Sequence, residues 1–459
     1  MKYSKFVYEN RFKLFKTFAI YLTYFTIGCS TGLLGSGLLD LQILSSTDFT
    51  KISLLVTLRS VGHVLGTVIA GLIGSYFNES LVLSITSFAA GLFSGLAPLL
   101  VKFELVGSCI FIAGLNYGIA DVLSNTLLTR TWKEKCTNFL QALQMCGGMG
   151  SLIAPVIARP FLLPSQESIE SSNTIANGSS IIPDPITTPI LYTPDDVMIH
   201  IAFLILGFIG LISSIPYFII YFTEKKIVRA SVPSVQSKPA GQHIEHDENK
   251  WKLFIAITLV TIIGHAVYGF ELVIGSLATS FSVKSDLHMD KKSGVLLATV
   301  FWSCFSFYRL IYIPLTFIFS ESKLLLSSLI ISTVGLLITV PWANNSETCI
   351  WVGFTLIGLG ISPVFAASYG LLNKYMRITS RVTSIIFSIG IIGESFHPAI
   401  VASLMSHNMI IFLYYLGVLG IIYILSFATL IVYCKKAFKG PINHHPPIGE
   451  KLSLSISHF

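Results

Sequence analysis

The sequence predicts an all-α membrane protein of twelve transmembrane helices in two similar six-helix halves. Three observations carry this. Apolar residues fill 53% of the 459 positions and charged residues 12%, with a mean hydropathy of +0.74, a balance that a water-soluble domain of this size cannot expose without aggregating. Apolar runs close to the ~20 residues that a helix needs to cross hydrocarbon recur along the whole chain. A polar connector near the middle divides six of these runs from the other six.

Span one covers residues 14–39. From Thr17 to Leu39 it holds no charge and no Ala-x-Ala cut site, so the basic stretch Lys2 to Lys16 flanks an uncleaved span rather than a signal peptide. Spans two to six follow at 52–77, 80–101, 105–130, 138–162 and 197–223, with a polar loop, 163–196, before the sixth. The connector, 224–251, contains Pro233, Pro239 and the run His243-Ile-Glu-His-Asp-Glu248. Its composition is that of a flexible tether, and the His and acidic run reads as solvated surface rather than a metal site. Spans seven to twelve occupy 252–282, 293–319, 323–343, 348–374, 379–405 and 409–434, and only Ser406-His407-Asn408 parts the last two. The expected domains are an N-terminal bundle 1–223, the connector, a C-terminal bundle 252–436 and a tail 437–459.

Lys and Arg in short loops are retained on the cytoplasmic side. With both termini there, that side holds Lys13, Lys16, Arg130, Lys133, Lys135, Lys225, Lys226, Lys374, Arg381, Lys435 and Lys436, against few cations opposite. The sequons at Asn177 and Asn344 then fall outside, where glycosylation requires them, whereas Asn78-Glu-Ser80 falls inside. The net charge of +7 is scattered through connectors and forms no dense basic face, which excludes nucleic-acid binding. Seven cysteines without a CxxC pair give neither a disulfide framework nor a zinc site. No phosphate-cradling loop, HExxH or GxSxG triad is present, so no enzyme is expected, and no cofactor.

The halves show a faint internal similarity. Gly114-Leu115 in span four matches Gly358-Leu359 in span ten, and Gly150 with Pro155 in span five matches Gly393 with Pro398 in span eleven. Glycine pairs at four-residue spacing, such as Gly28/Gly32 and Gly114/Gly118, predict close helix packing.

A charge at membrane depth costs roughly 2.5–3.5 kcal/mol on insertion scales, so an ionisable residue within a span points to a partner or a watery cavity. Asp121 and Asn125 share a face of span four, and Gln141 and Gln144 share a face of span five. Such groups supply donors and acceptors without excess charge, as a sugar's hydroxyls require. Arg59 and His63 share a face of span two, and Arg309 lies in span eight. As partners the reading offers Asp121 or Asp40 for Arg59, and Glu271 or Glu394 for Arg309. Asp40, Asp121, Glu271 and Glu394 are the candidates for ion coupling. Trp302 offers an aromatic face for a sugar ring, and His200 and His265 are expected to be satisfied by backbone groups.

Twelve spans in two halves resemble the major facilitator superfamily. Within it, the branch of sodium-dependent glucose transporter 1 and major facilitator superfamily domain-containing protein 4 is the most similar. The resemblance rests on Thr31-Gly-Leu-Leu-Gly-Ser-Gly-Leu-Leu-Asp40-Leu, Gly118-Ile-Ala-Asp121-Val-Leu-Ser-Asn125, Phe139-Leu-Gln141-Ala-Leu-Gln144, Ala154-Pro155, Arg159-Pro-Phe161, Tyr268-Gly, Phe301-Trp302 and Gly393-Glu394. It implies the major facilitator fold and alternating-access transport of a hexose-like sugar such as glucose across the plasma membrane, sodium-coupled or facilitative, by a monomer whose partners are the sugar and membrane lipid. It also implies that Asp121, Asn125, Gln141, Asp40 and Glu394 line or gate the central cavity. Two departures stand out. The acidic and basic signature after span two is reduced to Gly71-Leu-Ile-Gly-Ser-Tyr-Phe-Asn78, and Gln144 stands where the branch often has His. The alternatives are a proton-coupled carrier of another small polar solute, a transport-inactive receptor and a lipid mover.

Overall fold

A computed structural model describes residues 8–47, 49–74, 76–163, 193–230, 250–289, 291–319, 321–376, 378–405 and 407–438. Asn177, the His243 to Glu248 run and most of the connector and tail lie outside the described residues.

Among the described residues, twelve helices are long and apolar enough to cross a membrane. Spans one to six are Arg11–Ser36, Phe49–Ile73, Glu79–Leu96, Phe103–Trp132, Cys136–Ala158 and Ile199–Ala230. Spans seven to nine are Lys250–Lys284, Lys291–Ile318 and Glu321–Trp342, and spans eleven and twelve are Ser380–Met405 and Ile411–Ala437. Span ten is two helices, Glu347–Ile361 and Val364–Tyr375, broken at Ser362-Pro363. A short helix, Leu38–Leu44, follows span one. Local chemistry explains two of the starts: the Asn78 side chain accepts from the Leu81 N–H at 3.1 Å, and Ser346 caps Cys349. Span six runs on to Ala230, into the segment expected to be connector.

The packing repeats from half to half. Spans one and five, two and four, and three and six pack together, and so do their counterparts seven and eleven, eight and ten, and nine and twelve. The halves meet along spans two and eleven and along spans five and eight, which are equivalent seams related by the same repeat. Both described chain ends lie on one face: Lys16 pairs with Glu224 at 2.5 Å, and Lys252 donates to the Ala437 carbonyl at 3.0 Å. We refer to this as the terminal face.

One close approach between helices depends on glycine. Gly114 and Gly118 of span four rest on the backbone of Arg59 and His63 in span two, where any side chain would collide with a carbonyl. That contact brings the cationic face of span two against the acidic face of span four.

Candidate substrate cavity

Between the halves lies a cavity of about 270 Å³ lined from both sides. The N-terminal half contributes Tyr24, Thr31, Arg59, Ser60, His63, Asp121, Gln144 and Ser151. The C-terminal half contributes Tyr268, Glu271, Trp302, Phe305, Ser306, Arg309, Glu394 and Ser395.

Asp121 is the hub of the N-terminal wall. The Tyr24 hydroxyl donates to its Oδ1, and Asn125 Nδ2 donates both to the Tyr24 oxygen and, at 3.1 Å, to Asp121 Oδ1. His63 Nε2 stands 3.3 Å from the other carboxylate oxygen. Both oxygens are thereby engaged, and the helical four-residue spacing of Asp121 and Asn125 makes this possible.

The arginines take partners other than those the spacing suggested. Arg59 Nη2 donates to Thr31 Oγ1 at 2.5 Å, its buried Nε has no hydrogen-bond partner among the described residues, and the opposite charge it faces is Glu394, across the halves, rather than Asp121 or Asp40. Arg309 does face Glu271 electrostatically, but its Nε donates to the Ser362 carbonyl at 3.4 Å and its guanidinium lies 4.1 Å from the Phe305 ring centroid. Trp302 lies over Gly275, whose missing side chain leaves room for the indole, and packs edge-on against Phe301 and Phe305.

Of the residues singled out from sequence, Asp121, Gln144, Trp302, Glu394, Arg59, Glu271 and Arg309 come together here. Asn125, Gln141 and Asp40 do not line the cavity. Asn125 sits behind Asp121, 2% exposed. Gln141 is wholly buried and reaches across the halves to donate to the Pro363 carbonyl at 3.1 Å, in the break of span ten. Asp40 lies at the face opposite the termini, where its Oδ2 accepts the Leu163 N–H at 3.0 Å and ties the short helix to the end of span five. Burial raises its carboxyl pKa, and that hydrogen bond opposes the rise. Asn344 lies in the turn between spans nine and ten and donates to Asp286 at 2.5 Å. His265 is satisfied by the Ile389 carbonyl at 2.9 Å and also meets His397 at 3.1 Å. Sequence reasoning passed over Tyr24, because a tyrosine in an apolar run reads as packing and nothing local links it to residue 121.

On the terminal-face side the cavity is sealed. Thr67 Oγ1 meets Ser388 Oγ at 2.6 Å, Ser384 donates to the Thr67 carbonyl at 2.5 Å, and Thr126 meets Thr383 at 3.0 Å. Gly71 and Gly74, from the stretch lacking the acidic and basic signature, lie against Ser384 and Ser380. Asn138 donates to Thr316 at 2.8 Å, and Asn373 donates to the Lys133 carbonyl at 3.1 Å. Glu79 accepts from Arg130 at 2.5 Å within its own half and from Ser380 at 3.4 Å across the seam. Thr31 and Ser395, which line the cavity on its other side, are exposed. The cavity therefore opens away from the terminal face.

Residues 20–398 match the family model described as Major Facilitator Superfamily. The chain belongs to that superfamily. This facilitator is 25% identical over 441 residues to major facilitator superfamily domain-containing protein 4A of Danio rerio, across 85% of this chain and 82% of that protein. It is 23% identical over 398 residues to sodium-dependent glucose transporter 1A of Mus musculus, across 84% and 89% of the two. In structure it is similar to the transporter FucP in the outward conformation, with a TM-score of 0.65 and 14% identity over 92% of this chain and 98% of that one. It is also similar to the proton:xylose symporter XylE bound to 6-bromo-6-deoxy-D-glucose, with a TM-score of 0.64 and 12% identity over 93% and 96%. At these identities the structural likeness shows the fold. The facilitator is thus a multi-pass membrane protein of a transporter family.

Proposed function

We propose that this facilitator carries a hexose-like sugar across the plasma membrane by alternating access, with the terminal face in the cytoplasm and the cavity here open to the outside. Lys16, Arg130, Lys133, Lys225, Lys374 and Lys435 lie toward that face, as the charge rule for cytoplasmic loops requires. In this orientation Asn344 lies on the outer side as a glycosylation acceptor.

The observation that carries the reading is the make-up of the cavity. Its volume, about 270 Å³, lies just below the roughly 300–1,000 Å³ range of small-molecule sites, which suits a small solute. Trp302 offers a flat apolar face, and Gln144, Ser151, Ser306 and Asp121 surround it with the mixed donors and acceptors that hydroxyls need. The name of the mouse relative, a sodium-dependent glucose transporter, points the same way.

The test is uptake of labelled hexoses into proteoliposomes under imposed sodium, potassium or pH gradients. Wild type is expected to take up hexose, and Asp121→Asn, which removes the charge but keeps a carbonyl acceptor, to lower uptake by about 10- to 100-fold, the equivalent of ~1.5–3 kcal/mol for a charged hydrogen bond. Absence of hexose uptake under every gradient, in correctly inserted protein, would sink the reading. The charged lining favours one second reading, proton-driven transport of another small polar solute, for which uptake would follow the pH gradient and leave hexose behind.

A further inference from the structure

We propose that His265 of span seven and His397 of span eleven form a site for one divalent transition-metal ion of the zinc class, with Tyr415 of span twelve positioning the second ligand. Neither histidine lines the solute cavity, and the inference goes beyond the transport reading without resting on it.

Both imidazoles are held from behind. His265 Nδ1 lies 2.9 Å from the Ile389 carbonyl, which can only accept, so the hydrogen of the neutral ring sits on Nδ1 and Nε2 keeps a bare lone pair. A backbone carbonyl on the far nitrogen is the common support of a metal-bound histidine. His397 Nδ1 meets the Tyr415 hydroxyl at 2.6 Å, and that hydroxyl can donate or accept. Without an ion, Tyr415 donates to Nδ1 and the His397 Nε2–H donates to His265 Nε2 at 3.1 Å. With one, the single hydrogen of His397 moves to Nδ1, the Tyr415 oxygen accepts it, and both Nε2 lone pairs are free. Each ring stays neutral throughout.

The spacing suits an ion. Zinc binds histidine nitrogen at about 2.0–2.1 Å, so two nitrogens 3.1 Å apart meet it at about 98°, close to a tetrahedral angle. With each ring centroid about 1.15 Å behind its nitrogen, the 4.8 Å between centroids gives nearly the same angle for an ion on both ring axes. Imidazole nitrogen suits zinc, copper and nickel, whereas calcium and magnesium take oxygen. Among the described residues no third histidine, cysteine or carboxylate joins the pair, so water completes the shell. Both rings are half-buried and stand one helical turn from a cavity residue, Tyr268 or Glu394, which leaves a way in.

The fold does not require histidine here. In the N-terminal half Ala154-Pro155 stands where span eleven has His397-Pro398, and spans one and five close directly, with Gly28 on the Gly147 carbonyl and Gly150 on that of Phe25. In the C-terminal half Gly269 leaves the space that His397 fills. An ion held there ties span seven to span eleven beside Pro398.

The test is zinc binding to the full chain in lipid nanodiscs, without solute, by calorimetry, with the copper(II) electron paramagnetic resonance spectrum as a second reading. Wild type is expected to bind one ion, to show nitrogen splitting from two imidazoles, and to unfold at a higher temperature with zinc than without. His265→Gln and His397→Gln should each weaken binding at least about 100-fold, and Tyr415→Phe, which acts only through His397, about tenfold. His397→Ala copies the residue of the N-terminal half and serves if the Gln variant does not fold. The proposal falls if wild type binds no zinc, if both histidine variants bind as wild type does, or if binding is lost only in a chain without its cysteines, which would put the ion on thiols. Unchanged binding by Tyr415→Phe would overturn its positioning role. No sugar enters the measurement, so its outcome and that of the hexose assay are separate.

Discussion

At the scale of single residues, the cavity is organised by one phenol that no spacing rule announces. Tyr24 donates to Asp121 and accepts from Asn125, so its hydroxyl links a charge to an amide that would otherwise compete for it. Tyr24→Phe deletes both contacts while keeping the ring. Each buried hydrogen bond contributes about 0.5–1.5 kcal/mol, and an unsatisfied buried group costs more. Hexose affinity measured by binding to purified protein should therefore fall by about tenfold, with the fold intact by gel filtration; affinity within twofold of wild type would show that Asp121 needs no such support. Asp121, Glu271, Glu394, Arg59 and Arg309 were legible in the sequence because a charge in a hydrocarbon-length run is conspicuous. Their pairing was not. It depends on which helices face each other, and Arg59 faces Glu394 across the halves only because spans two and eleven close against one another.

At the scale of elements, the number, order and approximate length of the spans follow from apolar runs, since hydrocarbon admits little else than a satisfied helix. The break in span ten was hidden. Pro155, Pro216, Pro314, Pro341 and Pro398 also lie inside apolar helices without dividing them, so Pro363 carries no local mark. What sustains the break is supplied from elsewhere, as Gln141 of span five donates to the Pro363 carbonyl and Arg309 of span eight to that of Ser362. The glycine pairs, by contrast, packed as their spacing implied. Gly118→Val places two methyl groups against the His63 backbone, and overpacking of this kind costs about 1–3 kcal/mol. The expected outcome is a lower unfolding temperature and a loss of transport, because spans two and four can then no longer hold His63 beside Asp121. An unchanged melting curve would show that the two helices have slack.

At the scale of the whole molecule, one acidic residue spans the seam at the terminal face. Glu79 receives Arg130 from its own half and Ser380 from the other, just after the stretch that lacks the acidic and basic signature of the superfamily. Glu79→Gln weakens both contacts and should shift the population toward the state open at the terminal face. Labelling of a reporter cysteine at Ser151, in a background without the native cysteines, should slow from the outside and quicken from the terminal side. Equal labelling in parent and variant would remove Glu79 from the latch. Among the described residues, alcohols and amides also join the halves along the closed seam: Thr67, Ser384, Ser388, Thr126, Thr383 and Asn138. Hydroxyl contacts surrender to water at nearly even exchange, and dissolved salt scarcely screens them. Fastenings of this kind come apart like a zip, tooth by tooth and wetted as they go, and the share of the closure that they supply should respond little to the ionic strength of the fluid on either side.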